Sequence, residues 1–594
     1  MASAAIPEPS ADLPAMGTEK ESHHKNEGGV TVAASTPPHL WRVHGTLYDL
    51  APFVDRHPGG KAAINLGRGR DCTAMFESYH PFTNRHRSVL AKHAVPNGGG
   101  VGGKAGVGTV TGAGAGATYA GVPSRAEADP FYDLLCKRVE ALLNQAGRDP
   151  RHHPSSVKAT PQRLVYYMLV ILAVAVTYVG YARGHPGGPF LFAVSAWLLG
   201  ALGHDGGHFA VAGAAAPWAD SLATLGMGLI ASPFMWMHQH TYAHHSFTND
   251  LERDPDLHHY TDVLRTHPLQ GAAPTLGLGA IPGPGAMEGR KGTYKMQVYR
   301  AYVYACYTMT VLGEALYIPV VLMRTGNLHG VVPIPRLPRG AQSQPLWGPE
   351  LAQLAHLALF GALVVVAPLC YGGGAVSVVL YLVTSGLLFG IFSQINHLNG
   401  ESIGAAASPK GADIGVGSGL GSGAARRMSR IKAKGITRSR TEGVEVRPLP
   451  IPGSDGESST VSSTAGAGEC LTRVRGREKA DGSESGLATA TAGEWTGVGL
   501  EGQGTVRVAG SWAAEQVETS NNFCPGSRLW GLLSNGLNYQ IEHHLFPGVN
   551  HEHLPLLAPA VRRVCEENGV RYKSFSSMRA ILAETAAFYR DLAD

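Results

Sequence analysis

Three short stretches of this sequence concentrate imidazole. HDGGH at 204–208, HQHTYAHHSFTND at 238–250 and QIEHH at 540–544 set His204, His208, His240, His244, His245, His543 and His544 near apolar runs of membrane length. On a helix, His240 and His244 stand one turn apart on one face with His245 beside them, so three rings can converge on one point. That is a metal-ligand arrangement, and imidazole suits zinc, copper, iron and nickel alike. Seven histidines exceed what one ion needs. One such cluster would read equally well as ordinary surface or core histidine; three, each beside a membrane-length run, do not. Gln540 opens the third stretch, and His238 reads as a bystander of the second. His397, in QINH at 394–397, is isolated at the same membrane depth and is an additional candidate ligand. Asp205 and Glu542 are candidates to hold ligand imidazoles by their free N–H.

A second chemistry sits upstream. His57 opens HPGG at 57–60, and His80 closes DCTAMFESYH at 71–80. Two histidines on separate short elements, the first followed by glycines that let the backbone approach, suit a flat macrocycle held between two axial imidazoles. With Trp41 and the Tyr48-Asp49-Leu50 run, residues 40–96 resemble a cytochrome b5 haem domain, with His57 and His80 in its axial positions. A haem iron with both axial positions filled carries electrons rather than binding oxygen.

The elements that must position these groups follow from composition. The chain has 594 residues, 77 of them Gly and 38 Pro, and the segmentation is strong. A net charge of +4 with pI near 8.6 is too mild and too scattered for nucleic acid. Seven widely spaced cysteines argue against a zinc finger, an iron–sulfur site or a disulfide framework. Residues 1–36 carry no apolar core of signal-peptide length and read as disordered. The haem module occupies 37–97, with Trp41, Val43, Leu47, Tyr48, Leu50, Phe53, Val54, Ile64, Met75 and Phe76 as its expected core. A linker follows at 98–159; its glycine-rich part would let the haem domain swing, and its apolar residues at 127–147 recur at the spacing of an amphipathic helix on the cytosolic surface. The membrane part runs over 160–400, a low-complexity disordered insertion over 401–509, and a cytosolic cap over 510–594.

Within the membrane part, 164–182, about 190–203, 351–370 and 373–393 are expected to cross the bilayer as two hairpins. The stretch 217–237 reads as a re-entrant or interfacial helix ending in an aromatic belt, FMWM at 234–237. The run 296–323 is long enough to span. Were it a single crossing, the third histidine stretch would reach the opposite face from the first two, so it is expected to lie in the interface.

This histidine pattern around two membrane hairpins resembles the membrane-bound fatty-acid desaturases. The fused cytochrome b5 domain, and Gln540 where other desaturases have a ligand, resemble the front-end subfamily. The resemblance covers about residues 40–96, 160–400 and 510–590. It implies an α+β haem domain followed by an all-α membrane domain with four transmembrane helices and a cytosolic helical cap carrying a di-iron site. It implies two non-haem irons on His204, His208, His240, His244, His245, His543 and His544, less securely on His397, together with haem b on His57 and His80. It further implies a membrane enzyme that uses O2 and electrons from an NADH-cytochrome b5 reductase. The product would be a cis double bond between an existing one and the carboxyl end of a polyunsaturated acyl chain, Δ5 or Δ4 ahead of Δ6. The alternatives are a Δ8 sphingoid-base desaturase, a lipid hydroxylase of the same metal class, and a membrane-anchored cytochrome b5 that only carries electrons. The implied location is the endoplasmic reticulum with the site facing the cytosol, or else the plastid envelope.

Overall fold

The computed structural model describes residues 36–95, 122–270, 294–335, 348–406 and 508–593. The N-terminal stretch, the glycine-rich part of the linker and nearly all of the 401–509 insertion lie outside the described residues.

The haem module begins with an antiparallel hairpin, Trp41–Val43 against Thr46–Tyr48. His44 and Gly45 both take positive φ, 48° and 76°, the two-residue turn whose twist matches that of the strands. Helices Gly60–Leu66, Thr73–Ser78 and Arg85–Ala91 close the module. Trp41, Val43, Tyr48 and Val54 are almost wholly buried, and the Trp41 indole donates to the Ile64 carbonyl. Leu47, Phe53 and Phe76 of the expected core are only partly buried.

Two helical hairpins carry the histidines. Pro161–Ala182 turns at 183–187 into Gly188–Gly207. Pro349–Tyr371, which contains a π-helical stretch, turns into Gly374–Gln394. The two turns touch: Gly373 N donates to Ala182 O at 2.9 Å. Gly184, at φ 72°, has no room for a side chain, because a Cβ there would lie 2.7 Å from Gly372 O. With the turns together at one end, the opposite ends present His204 and His397 to one pocket.

Among the described residues, four helices are long and apolar enough to cross a membrane: Pro161–Ala182, Arg300–Thr325, Pro349–Tyr371 and Gly374–Gln394. Their number agrees with expectation, and their identity does not. Gly188–Gly207, expected to span, is absent from the four and is buried over most of its length. Arg300–Thr325, expected to be interfacial, is among them. Its contacts nevertheless run across the site-side halves of the second hairpin. Thr308 and Tyr307 abut Gly386 and Gly390, and the Ala315 carbonyl accepts from His356 Nε2 at 2.9 Å. Large apolar side chains stand exposed along Pro161–Ala182, Pro349–Tyr371 and Gly374–Gln394, including Met168, Leu172, Val176, Leu359 and Val376. That is the surface a bilayer covers.

The segment 217–237 is no single helix but Pro217–Thr224, a 3-10 turn at Leu225–Leu229 and Pro233–Trp236. Trp236 is no belt residue either. It is buried, stacked on the His240 ring at 4.7 Å, and a Cβ on Gly207 would overlap its indole. The helix Pro130–Gln145 is amphipathic as expected, yet its apolar face is part of a core. Phe131, Leu135, Val139 and Leu143 are fully buried in one cluster with Val561 and Val564 of the cap helix Leu554–Glu567. Asp129 caps its first turn and accepts from Ser511 of the cap, which fastens the two segments around the third histidine stretch.

Candidate metal centre

His204 lies in the last turn of Gly188–Gly207, and His208 caps it. The second stretch departs from the expected α-helix: Met237–His244 is a π-helix, and an α-turn resumes at His245. The wider turn brings His245 as well as His244 to His240, with His240 and His245 Nε2 atoms 3.2 Å apart. His543 and His544 sit in the helix Gln540–Leu545.

All seven expected box histidines, with His397 and Gln540, come together. The ligand atoms of His204, His208, His240 and His543 lie within 4.8 Å of one another, and so do those of His244, His397 and His544. His245 stands between the groups, its ring 4.5 Å from His208 and 4.2 Å from His544. Gln540 Nε2 lies 3.0 and 3.1 Å from the Nε2 atoms of His397 and His544. His238 points elsewhere and accepts from Arg70 at 2.9 Å.

Whether ions fit can be read from the nitrogens. His204 and His240 face each other Nε2 to Nε2 at 3.1 Å, and His244 and His397 do so at 3.3 Å. Two ligands at right angles on an ion with bonds of about 2.1 Å stand about 3 Å apart. His208 Nε2 and His543 Nε2 are buried with no protein partner. Two adjacent imidazole groups with their nitrogens turned inward fit a pair of transition-metal ions. Burial holds His208, His245, His397, His543 and His544 well below the ordinary histidine range, which keeps their lone pairs available. His244 is the exception. Burial lowers it too, but the carboxylates of Asp254 and Asp256 outweigh that and raise it to about 9, marking a place that favours positive charge.

The groups behind the rings were mostly beyond sequence reasoning. His244 Nδ1 lies 3.1 Å from both Asp254 oxygens, His397 Nδ1 bonds the Thr519 carbonyl, and His544 Nδ1 bonds Gln516 Oε1 at 2.8 Å. Such bonds fix the tautomer that leaves Nε2 to the metal. Asp254, in a DPD run ten residues after His244, carried the one signal that could have been read. Asp205, expected to hold a box imidazole, reaches one through an intermediary: its Oδ1 lies 2.7 Å from His551 Nδ1, and His551 Nε2 is 3.2 Å from His543 Nδ1. Glu542 holds no imidazole. It accepts from Asn522 and Tyr572, and burial lifts its carboxyl to about 7. Replacing Asp254 with asparagine keeps the shape and removes the charge. Metal affinity should fall by about 10–100-fold, measured as metal retained after dialysis against a chelator.

In the haem module, the rings of His57 and His80 stand 6.3 Å apart, centre to centre. An ion between them with bonds of about 2 Å to each accounts for that spacing. Each Nδ1 bonds a backbone carbonyl, that of Gly60 and that of Phe76, so each Nε2 is free for iron. Burial and the neighbouring His80 push His57 down to about 4, and burial likewise lowers His80, so both rings are neutral at physiological pH. His86, not singled out from the sequence, stacks on His80 at 4.5 Å.

The module is seated directly on the histidine cluster. His208 Nδ1 and the Tyr79 hydroxyl are hydrogen-bonded at 2.6 Å, and with Nε2 left to a metal the ring N–H donates to the tyrosine oxygen. Arg70 lies over the Tyr242 ring at 4.4 Å, Tyr242 donates to the Asp71 carbonyl, and Phe82 stacks on Phe546.

Comparison with known proteins agrees with this geometry. The family model of fatty acid desaturases matches residues 184–413 and 488–576, and that of the cytochrome b5-like heme/steroid binding domain matches 30–96. The chain belongs to the fatty acid desaturase family. It is 25% identical over 562 residues to an acyl-lipid (8-3)-desaturase of Physcomitrium patens, covering 91% of this chain and 85% of that protein. It is 22% identical to an acyl-lipid (8-3)-desaturase of Mortierella alpina, covering 89% and 88%. Against an acyl-lipid omega-13 desaturase of Chlamydomonas reinhardtii, identity is 32% over 260 residues, 40% of this chain and 51% of the relative; the match thus spans about half of that protein's length. No solved structure matches. The desaturase family implies iron and the cytochrome b5 domain implies haem. Four apolar helices and the family together mark an integral membrane protein.

This desaturase-family chain also holds a pocket against the cluster. Trp197, Met227, Ile230, Phe389 and Phe392 give it an apolar wall, while His204, His240, His244, His397 and Gln540 form its polar end. The arrangement suits a hydrocarbon laid past a metal pair.

Proposed function

We propose that this protein is a front-end acyl desaturase that inserts a cis double bond between an existing double bond and the carboxyl end of a polyunsaturated chain. The observation that carries the reading is the cavity whose apolar wall leads to two adjacent imidazole groups. When bound, iron in those groups would supply the oxygen chemistry that no side chain can, and haem between His57 and His80 the electrons. The apolar wall holds the chain and excludes water; the Nδ1 partners of His244, His397, His543 and His544 keep those rings aimed. Relatives named for (8-3), Delta(5) and (7-3) desaturation support a bond near the carboxyl end. In a chain of ordinary membrane-lipid length, an omega-13 bond also falls there.

Electrons enter, on this reading, through Tyr79. It adjoins the haem ligand His80 and touches the metal-candidate ligand His208, so the two sites are linked by one residue and one hydrogen bond. Tethering in one chain keeps the donor at high effective concentration, with an NADH-cytochrome b5 reductase as its source. Tyr79→Phe should slow haem reoxidation by oxygen about fivefold to tenfold in stopped-flow absorbance, since the lost bond contributes about 1 kcal/mol to keeping the module seated. The haem spectrum itself should not change.

The deciding experiment is expression in yeast fed a panel of polyunsaturated acids, with lipids profiled by gas chromatography and mass. A product two hydrogens lighter, with the new bond on the carboxyl side of an existing one, is expected. A product heavier by one oxygen assigns hydroxylation instead, and a modified sphingoid base assigns that substrate class. Haem absorbance with no altered lipid and no bound iron leaves only an electron carrier.

A further inference from the structure

Beside the histidine pair of groups, and outside it, three more potential ligands converge. His259 follows the DPD run, Glu314 lies mid-way along Arg300–Thr325, and His329 is at the tip of a small hairpin between Asn327–Leu328 and Val332–Pro333. One ligand atom from each lies within 4.8 Å of the other two. The three residues are separated by 55 and 15 positions in sequence, so nothing local forces the meeting.

Three observations point to an ion. Glu314 is 1% exposed, and its Oε1 lies 3.2 Å from His259 Nε2 without the alignment of a hydrogen bond. Its Oε2 accepts one long hydrogen bond, from Gln239 Nε2 at 3.4 Å, and a buried carboxylate costs several kcal/mol unless a charge or further donors compensate it. His329 Nε2 and His259 Nδ1 are likewise buried without a hydrogen-bond partner, although their rings are only 5.2 Å apart. His329 also holds a positive φ of 50°, followed by Gly330 at 77°. Asparagine or glycine is the ordinary choice at that turn position, and a histidine there spends conformational energy to aim a ring at Glu314 and His259.

We propose that His259, Glu314 and His329 form a third metal site, for a divalent ion of the zinc type, distinct from the iron pair and from the haem. Two imidazoles and one carboxylate without thiolate are a borderline donor set that suits zinc, and three protein ligands leave a fourth position for water. The ion would tie the hairpin, the 300–325 helix and the segment after the second histidine stretch into one unit. It would also offset the negative charge of Asp256, which lies 3.6 Å from His259 and 3.5 Å from His244 and so connects this site to the iron groups. The site is independent of the desaturase reading: it stands whether or not the yeast experiment finds a product.

Metal analysis of the purified full-length protein tests it. Saturation with zinc followed by desalting should leave about one zinc per chain with iron and haem undiminished. His329→Asn suits the left-handed turn and removes the ring, and Glu314→Gln keeps the shape and removes the charge. Each should lower retained zinc to below about one tenth of that level, with haem absorbance and iron content unchanged as the check on folding. X-ray absorption at the zinc edge should show nitrogen and oxygen neighbours, histidine scattering and no sulfur. No zinc on the wild-type chain, zinc gained only as iron is lost, or full retention in both variants would each overturn the proposal.

Discussion

Replacing His543 with alanine is expected to end product formation while leaving the haem spectrum as it was. Its Nε2 is buried without a protein partner and faces His204, His208 and His240. Its Nδ1 is held by His551, which lies against Asp205. Alanine deletes one of the four donors of that group and leaves a cavity where the ring stood. Activity should fall by more than the roughly 100-fold that loss of an outer hydrogen bond can cost, and bound iron should fall by about one per chain. His551→Ala, one bond further out, should stay within the range of about 10–100-fold and keep its iron. The contrast separates ligand loss from general destabilisation. Full desaturation by His543→Ala would remove the metal assignment.

The second large effect lies at the other cofactor. His80→Ala should abolish the bis-imidazole haem absorbance and, with purified protein, NADH and reductase, reduce turnover to background, while the non-haem iron stays bound. The physical basis is the 6.3 Å spacing of His57 and His80 and the Nδ1 bonds that orient both rings. In cells, a separate cytochrome b5 of the host could feed the site, so the purified system is the decisive one. Adding free cytochrome b5 should restore part of the turnover to His80→Ala and none to His543→Ala. Rescue of both, or of neither, would break the division of labour drawn here between the two modules.

The candidate ligand residues were legible because metal chemistry leaves few options: imidazoles at helical spacing beside apolar runs, repeated three times, and HPGG with a distant second histidine. The two hairpins were legible from apolar length. Other features were not, and each for a physical reason. The π-helical turn at Met237–His244 has no distinct side-chain period, so sequence spacing set His240, His244 and His245 on an α-helix and could not show the wider turn. Gly188–Gly207 gives its last turn to His204, Asp205 and glycines and is buried along most of its length, whereas Arg300–Thr325 keeps an apolar window of which half is buried. Trp236 read as a lipid-belt residue because composition cannot tell an aromatic facing headgroups from one facing imidazoles.

What the amino-acid order determined alone was therefore the inventory: which side chains can bind metal, that two apolar hairpins are present, and that a haem module precedes them. What only the tertiary structure decided was adjacency. That Tyr79 meets His208, that Asp254 backs His244, and that His259, Glu314 and His329 share one point all depend on contacts between residues far apart along the chain. Such contacts are set by how buried apolar faces fit together, a property of the packed whole that no local pattern of residues encodes.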